Sequence, residues 1–228
     1  MWGYYGSKAS IIKHYPAPRY DTIIEPFAGT AQYALKYHDH NITIVDKYDV
    51  IVRIWKWLQR CSPNDVLGLP RLKCGENVDN FTWDCEEAKW LVGFIIVGAP
   101  AQPKKTASKW KTVIRPNTQN YKLKMIAENL CKIRHWNIIC GDYRDLPNTV
   151  ATWFIDPPYQ FGGQYYRYGN KDIDYNDLRQ WCESRQGHVI VCENSKATWL
   201  PLKHLVHARG NKFTTSECMY EQETAPPI

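Results

Sequence analysis

The sequence predicts an α/β fold in which a mostly parallel sheet is completed by an antiparallel C-terminal hairpin, with a small, mainly helical insertion. Three observations carry that prediction. Short β-branched runs alternate with helical stretches along much of the chain, the pattern of βαβ units. Several of those runs end in an acid, a glycine or a proline at their carboxyl ends, where open α/β sheets bind ligands. Residues 61–134 break the pattern with prolines, glycines and a dense group of cations, so the frame is read as 1–60 plus 135–228 with 61–134 inserted.

The elements follow in order. Met1 to Ser10 holds a short loop, Tyr4-Tyr5-Gly6-Ser7-Lys8, which combines aromatics, a flexible glycine and a cation. Asp21–Ile24 reads as the first strand and runs into Glu25-Pro26-Phe27-Ala28-Gly29-Thr30-Ala31, then a helical stretch from Gln32 to His38. Strand, small-residue turn and helix open a nucleotide-binding βαβ unit, in which backbone approaches the ligand closely. The second strand, Asn41–Val45, ends at Asp46, 17 residues after Gly29. An acid there suits the ribose-binding position of such units. It would equally suit a helix N-terminus, since Val50–Arg60 reads as helical; the spacing favours ribose.

A helical pattern runs from Cys85 to about Val97. Next come Pro103-Lys104-Lys105-Thr106-Ala107-Ser108-Lys109-Trp110-Lys111 and Arg115. Between 101 and 134 there are nine Lys/Arg and one acid, Glu128, a net of +8, whereas the whole chain nets +6. Everything outside this stretch therefore sums to −2, and the basicity is local. Lysine-rich loops are often just solvated, but Trp110 among these cations favours a phosphate-contacting, base-stacking surface, with Lys104, Lys105, Lys109, Trp110, Lys111 and Arg115 as its residues.

Sheet-like sequence resumes at Trp136–Cys140, followed by Gly141-Asp142-Tyr143. The run Ala151–Ile155 then stops at Asp156-Pro157-Pro158-Tyr159. Each proline fixes its own φ and removes an N–H, so the carbonyls of this turn keep a fixed direction. Asp156 adds a carboxylate and Tyr159 a flat ring with a polar tip. Two convergent acceptors beside an aromatic plate suit the exocyclic amine of a flat heterocycle, a nucleobase amino group. Phe161–Gly169, rich in Gly and Tyr, reads as a mobile loop over a pocket. Asp174–Arg185 reads as a helix capped by Asp174, His188–Cys192 as a buried strand, and Leu202–His207 with Ser216–Tyr220 as the closing hairpin.

Composition excludes several classes. At 228 residues, 44% hydrophobic and 23% charged, the chain suits a globular domain with an insertion. Its 10 Trp and 15 Tyr supply both packing and stacking surface. The longest apolar run, Trp90–Pro100, is too short to span a bilayer, and no signal peptide opens the chain. Eight scattered cysteines without a Cys-x-x-Cys pair argue against zinc and a disulfide framework, and fit reduced thiols in the cytoplasm.

In combination and order, the aromatic-x-Gly-x-Lys loop (Tyr4 to Lys8), Pro26-Phe27-Ala28-Gly29, the basic insertion and Asp156-Pro157-Pro158-Tyr159 resemble the D12-class, Dam-like DNA N6-adenine methyltransferases that use S-adenosyl-L-methionine. The likeness covers nearly the whole chain. It implies a Rossmann-like methyltransferase sheet, with 61–134 as an inserted DNA-recognition subdomain. Tyr4, Gly6 and Lys8 would lie near the cofactor, and Pro26, Phe27, Ala28 and Gly29 would border its methionine part. Asp46 would hold the ribose hydroxyls, and Asp142, with Tyr143 beside it, would bond the adenine. Asp156, at the border of cofactor and target, and the Pro157 carbonyl would accept hydrogen bonds from the target amine. Pro158 would stiffen the turn and Tyr159 would stack on the flipped base.

The resemblance further implies a DNA partner, no metal, and the cytoplasm of a bacterial or phage-infected cell, the setting of restriction-modification enzymes. Two departures stand out: alanine at 31, where the family often has glycine, and a short insertion. RNA adenine or cytosine-N4 methylation, a non-catalytic nucleic-acid-binding role, and methylation of a small molecule or protein amide, against which the net +8 stretch speaks, are the alternatives.

Overall fold

The computed structural model describes residues 1–209 and 214–224. The chain forms two compact units, Met1–Ser7 with Tyr48–His135, and Lys8–Lys47 with Trp136–Ile228.

The second unit is built on seven strands: β1 Thr22–Glu25, β2 Asn41–Asp46, β3 Asn137–Cys140, β4 Ala151–Ile155, β5 Gly187–Asn194, β6 Lys203–Arg209 and β7 Thr214–Thr224. They form one sheet in the order β3-β2-β1-β4-β5-β7-β6. The first five strands pair in parallel, while β7 runs antiparallel to both β5 and β6. The fold is thus mixed α/β with a mostly parallel sheet. The closing hairpin is present, with β7 between β5 and β6.

Strand β4 is buried along its whole length. The pleat sends alternate side chains to opposite faces, and here both faces are covered. Trp153 meets Trp181 edge-on at 5.5 Å between ring centroids. On the opposite face Phe154 stacks on Tyr33 at 4.3 Å and receives Tyr15 edge-on at 5.2 Å. This two-sided burial is why the strand reads as an unbroken apolar run. Each such side chain contributes about 1.5–3 kcal/mol by leaving water.

Helix α6, counted in chain order and spanning Tyr175–Ser184, lays Leu178 and Cys182, four residues apart on one face, over the Trp153 side with Trp199 and Leu200. Its N-terminus is capped as expected, Asp174 accepting from the N–H groups of Asn176 and Asp177. Gly187 pairs with Ala151 at a φ of +96°, and a Cβ there would sit 2.3 Å from the Ala151 carbonyl oxygen. Only glycine allows this register between β4 and β5. Between β1 and β2 lies helix α1, Gln32–Lys36.

The first unit is helical: α2 Asp49–Leu58, α3 Pro63–Leu67, α4 Glu86–Ile95 and α5 Thr118–Asn129. Val50, Ile51, Ile54, Trp55 and Leu58 are buried on α2, the spacing of an amphipathic helix. Trp55 meets Trp2 at 5.0 Å, and Trp2 lies 6.3 Å from Phe94 of α4. Helix α3 starts at a Ser62/Asp65 capping box with proline in its first turn. Gln119 of α5 is buried and bonds both the N–H and the carbonyl of Leu72.

At Gly93 of α4 the backbone of Lys104 comes so close that a Cβ would lie 2.8 Å from its carbonyl oxygen. The basic segment is therefore held to α4 by a missing side chain. Among the described residues no helix is long and apolar enough to cross a membrane.

Candidate active site

Strand order reverses between β1 and β4, the place where open α/β sheets leave a crevice at their carboxyl ends. Asp156 follows β4 there. Its Oδ1 lies 2.8 Å from the Nζ of Lys8, and both side chains are largely buried. Lys8 also stands over the Tyr159 ring, 4.6 Å from its centroid. Burial alone would lower the Lys8 ammonium, but the Asp156 carboxylate, helped by Glu217, more than reverses this and raises it. Burial pushes the Asp156 carboxyl up, and Lys8 pulls part of that shift back.

The turn after Asp156 is tethered at three successive residues. The Tyr175 hydroxyl of α6 donates to the Pro158 carbonyl at 2.6 Å. The Tyr159 hydroxyl donates to Glu217 of β7, also at 2.6 Å. The Gln160 N–H donates to Glu193 of β5 at 2.9 Å. Glu193 is fully buried and also accepts from the Asn194 N–H and the Trp199 indole. Three side chains, from α6, β5 and β7, thus hold Pro158, Tyr159 and Gln160. Two acceptors remain: among the described residues nothing donates to Asp156 Oδ2 or to the Pro157 carbonyl.

The cofactor candidates of this unit gather on the neighbouring strand ends. Ala28 donates to the Val45 carbonyl and Gly29 to the Asp46 carboxylate, both at 2.9 Å, which pins the Pro26–Gly29 turn to the tip of β2. Phe27 packs on Tyr143 at 5.2 Å, and Tyr143 on Trp181 at 5.1 Å. Asp142 is bonded on both oxygens: Arg144 takes Oδ1 with its N–H and Nε and reaches Oδ2, where Lys47 joins at 3.1 Å. Arg144, then Lys47, holds its carboxyl well below the usual range. Tyr4 and Gly6 belong to the first unit, where Tyr4 is buried edge-on against Phe94 at 5.7 Å and Gly6 has a φ of 73°.

All six cationic-surface candidates also lie in the first unit. Lys105 pairs with Asp79 at 2.9 Å, and Lys89 takes the other oxygen at 2.8 Å. A cavity of about 560 Å³ is lined by Val97, Gly98, Pro100, Lys104, Lys105 and Thr106. Arg115 covers one face of Trp110 at 5.1 Å. Burial, then the nearby Arg115, lowers the half-buried Lys111. Lys109 is exposed.

No protein-family model matches the chain, and no curated protein matches it either. The site therefore rests on its own geometry.

Sequence reasoning missed three acids. Glu25 ends a short apolar strand and Glu193 is the next-to-last residue of another, and that position is the signal available. Glu25 is buried, accepts from the Ala34 N–H, and has its carboxyl pushed up to about 8 by burial, against that hydrogen bond. Glu217, from the far end of the chain, carries no local signal.

Proposed function

We propose that this protein transfers the methyl group of S-adenosyl-L-methionine to the N6 amine of adenine in DNA, with the target base extruded from the stack, on a Rossmann-like methyltransferase sheet. One observation carries the reading. In a corner whose Pro158 carbonyl and Tyr159 hydroxyl are already bonded to the protein, Asp156 Oδ2 and the Pro157 carbonyl stay unbonded among the described residues.

The N6 lone pair is delocalised into the ring and is a poor nucleophile. Two fixed acceptors that hold its hydrogens favour the pyramidal nitrogen formed during attack, as dipoles set in advance toward developing charge. Positive charge grows on that nitrogen as the C–N bond forms. Asp156 then gains most, and the burial that raises its carboxyl makes it a better acceptor for the departing proton. Lys8 anchors the other carboxylate oxygen, which keeps Oδ2 directed. Because N6 is unreachable in a stacked duplex, the base must be flipped or already single-stranded.

When bound, the cofactor would supply a sulfonium methyl, whose S–C bond breaks as the C–N bond forms and leaves a neutral thioether. The small-residue turn Pro26–Gly29 and Asp46 fit it, since that backbone is pinned beside a carboxylate at a strand tip. Asp142 fits less simply, because a cofactor amine would share oxygens that Arg144 and Lys47 already occupy.

Incubation with labelled cofactor and duplex DNA, single-stranded DNA or RNA tests the reading. Label in DNA adenine is expected. Label in none ends the proposal, and label in RNA alone replaces it with RNA methylation. Asp156→Ala should abolish transfer while cofactor affinity stays within a few-fold, the signature of a group needed mainly in the transition state.

A further inference from the structure

Residues Trp110–Ile114 form a single π-helical turn, closed by the Arg115 N–H on the Trp110 carbonyl at 3.0 Å. Such turns are rare and cluster at functional places. This one ends in Val113 and Ile114, 56% and 55% exposed, and Tyr121 just beyond is 63% exposed. Adjacent aliphatic side chains left in water on a cationic segment call for a partner.

Resting on the reading that this unit contacts nucleic acid, we propose that Val113 and Ile114 form a wedge that enters the base stack of duplex DNA, with Lys109, Lys111 and Arg115 on the flanking phosphates. Charge complementarity selects the occupant: no acid occurs between 101 and 127. The shape of the side chains selects a duplex over a single strand. Stacking on loose bases uses open aromatic faces, whereas the two side chains that end this turn are aliphatic. Aliphatic residues instead part base-pair steps and kink the duplex.

The turn is anchored as a wedge must be. Ser108 bonds the Ile96 carbonyl, at the end of α4, through both its N–H (3.0 Å) and its hydroxyl (3.1 Å). Thr112 donates back to the Ser108 carbonyl at 2.9 Å. Val and Ile, stiff at χ1, lose little freedom on insertion.

The test is topological, so it needs no knowledge of a target motif. A plasmid is relaxed by a topoisomerase with the protein bound, then deproteinised and its linking number read. The full chain should shift the distribution. Val113→Ser/Ile114→Ser should lose the shift but keep affinity within about three-fold, because its phosphate contacts are intact. An equal shift by that variant, or binding by the parent without any shift, overturns the wedge. So does a parent dimer that the variant turns into a monomer in sedimentation, which would make the patch a contact between copies. Methyl transfer is scored separately. Transfer without unwinding leaves the proposed function standing and removes the wedge, and unwinding without transfer does the reverse.

Discussion

Lys8 and Asp156 form a buried ion pair, Nζ to Oδ1 2.8 Å, and no other cation touches that carboxylate among the described residues. Breaking one side of a buried pair leaves the other charge unmatched. Lys8→Met should therefore cost about 3–5 kcal/mol of stability. Lys8→Met/Asp156→Asn should recover much of it, because both charges are then gone. Denaturant midpoints at constant slope measure both. If the double variant is no better than the single one, Lys8 acts by filling space.

The Tyr159–Glu217 bond makes a different prediction. Tyr159→Phe keeps the ring but leaves a buried carboxylate without its donor, at about 1–3 kcal/mol. Glu217→Gln keeps an acceptor and should cost less. A double-mutant cycle isolates the pair. A coupling indistinguishable from zero would mean that the ring is held by its other neighbours.

Ala31 has a φ of 44° and ψ of 53°, left-handed values that penalise a Cβ, and it is fully packed. Ala31→Gly should stabilise the chain by about 1 kcal/mol, relief of that clash exceeding the entropy lost to a freer unfolded chain. The turn it ends carries Gly29, so if the proposed cofactor binds there its affinity should hold or improve. A fall in melting temperature would refute the strain.

Glu25 sets a pH dependence of unusual sign. Its carboxyl is raised from 4.5 to about 8, so between those values the folded state keeps a proton that the unfolded chain has released. Stability contributed by this group is full below pH 4.5, declines as pH rises, and is lost above about 8. Glu25→Gln, which imitates the protonated form, should flatten the decline across that window in thermal melts. An unchanged slope would assign it to other groups.

Much of this was legible in advance, because strands buried on both faces write themselves as apolar runs. β4 matched its expected bounds, and the acid-proline corner follows it. Helix α5 is harder to read: Leu123, Ile126, Ala127 and Leu130 recur at helical spacing, but the lysines among them give the segment the look of a charge run. Glu217 was hidden for a physical reason. It reaches Tyr159 only because β7 pairs with β5, a contact between residues far apart in the chain that no local pattern encodes.

The ammonium of Lys8 over Tyr159 has one more consequence. An aromatic plate has two sides, and a cation occupies one of them. Tyr159 can offer at most a single side to an incoming planar guest, and that guest rests on a π-cloud drawn toward the positive charge behind it. The side on which a guest could rest is thereby decided before it arrives.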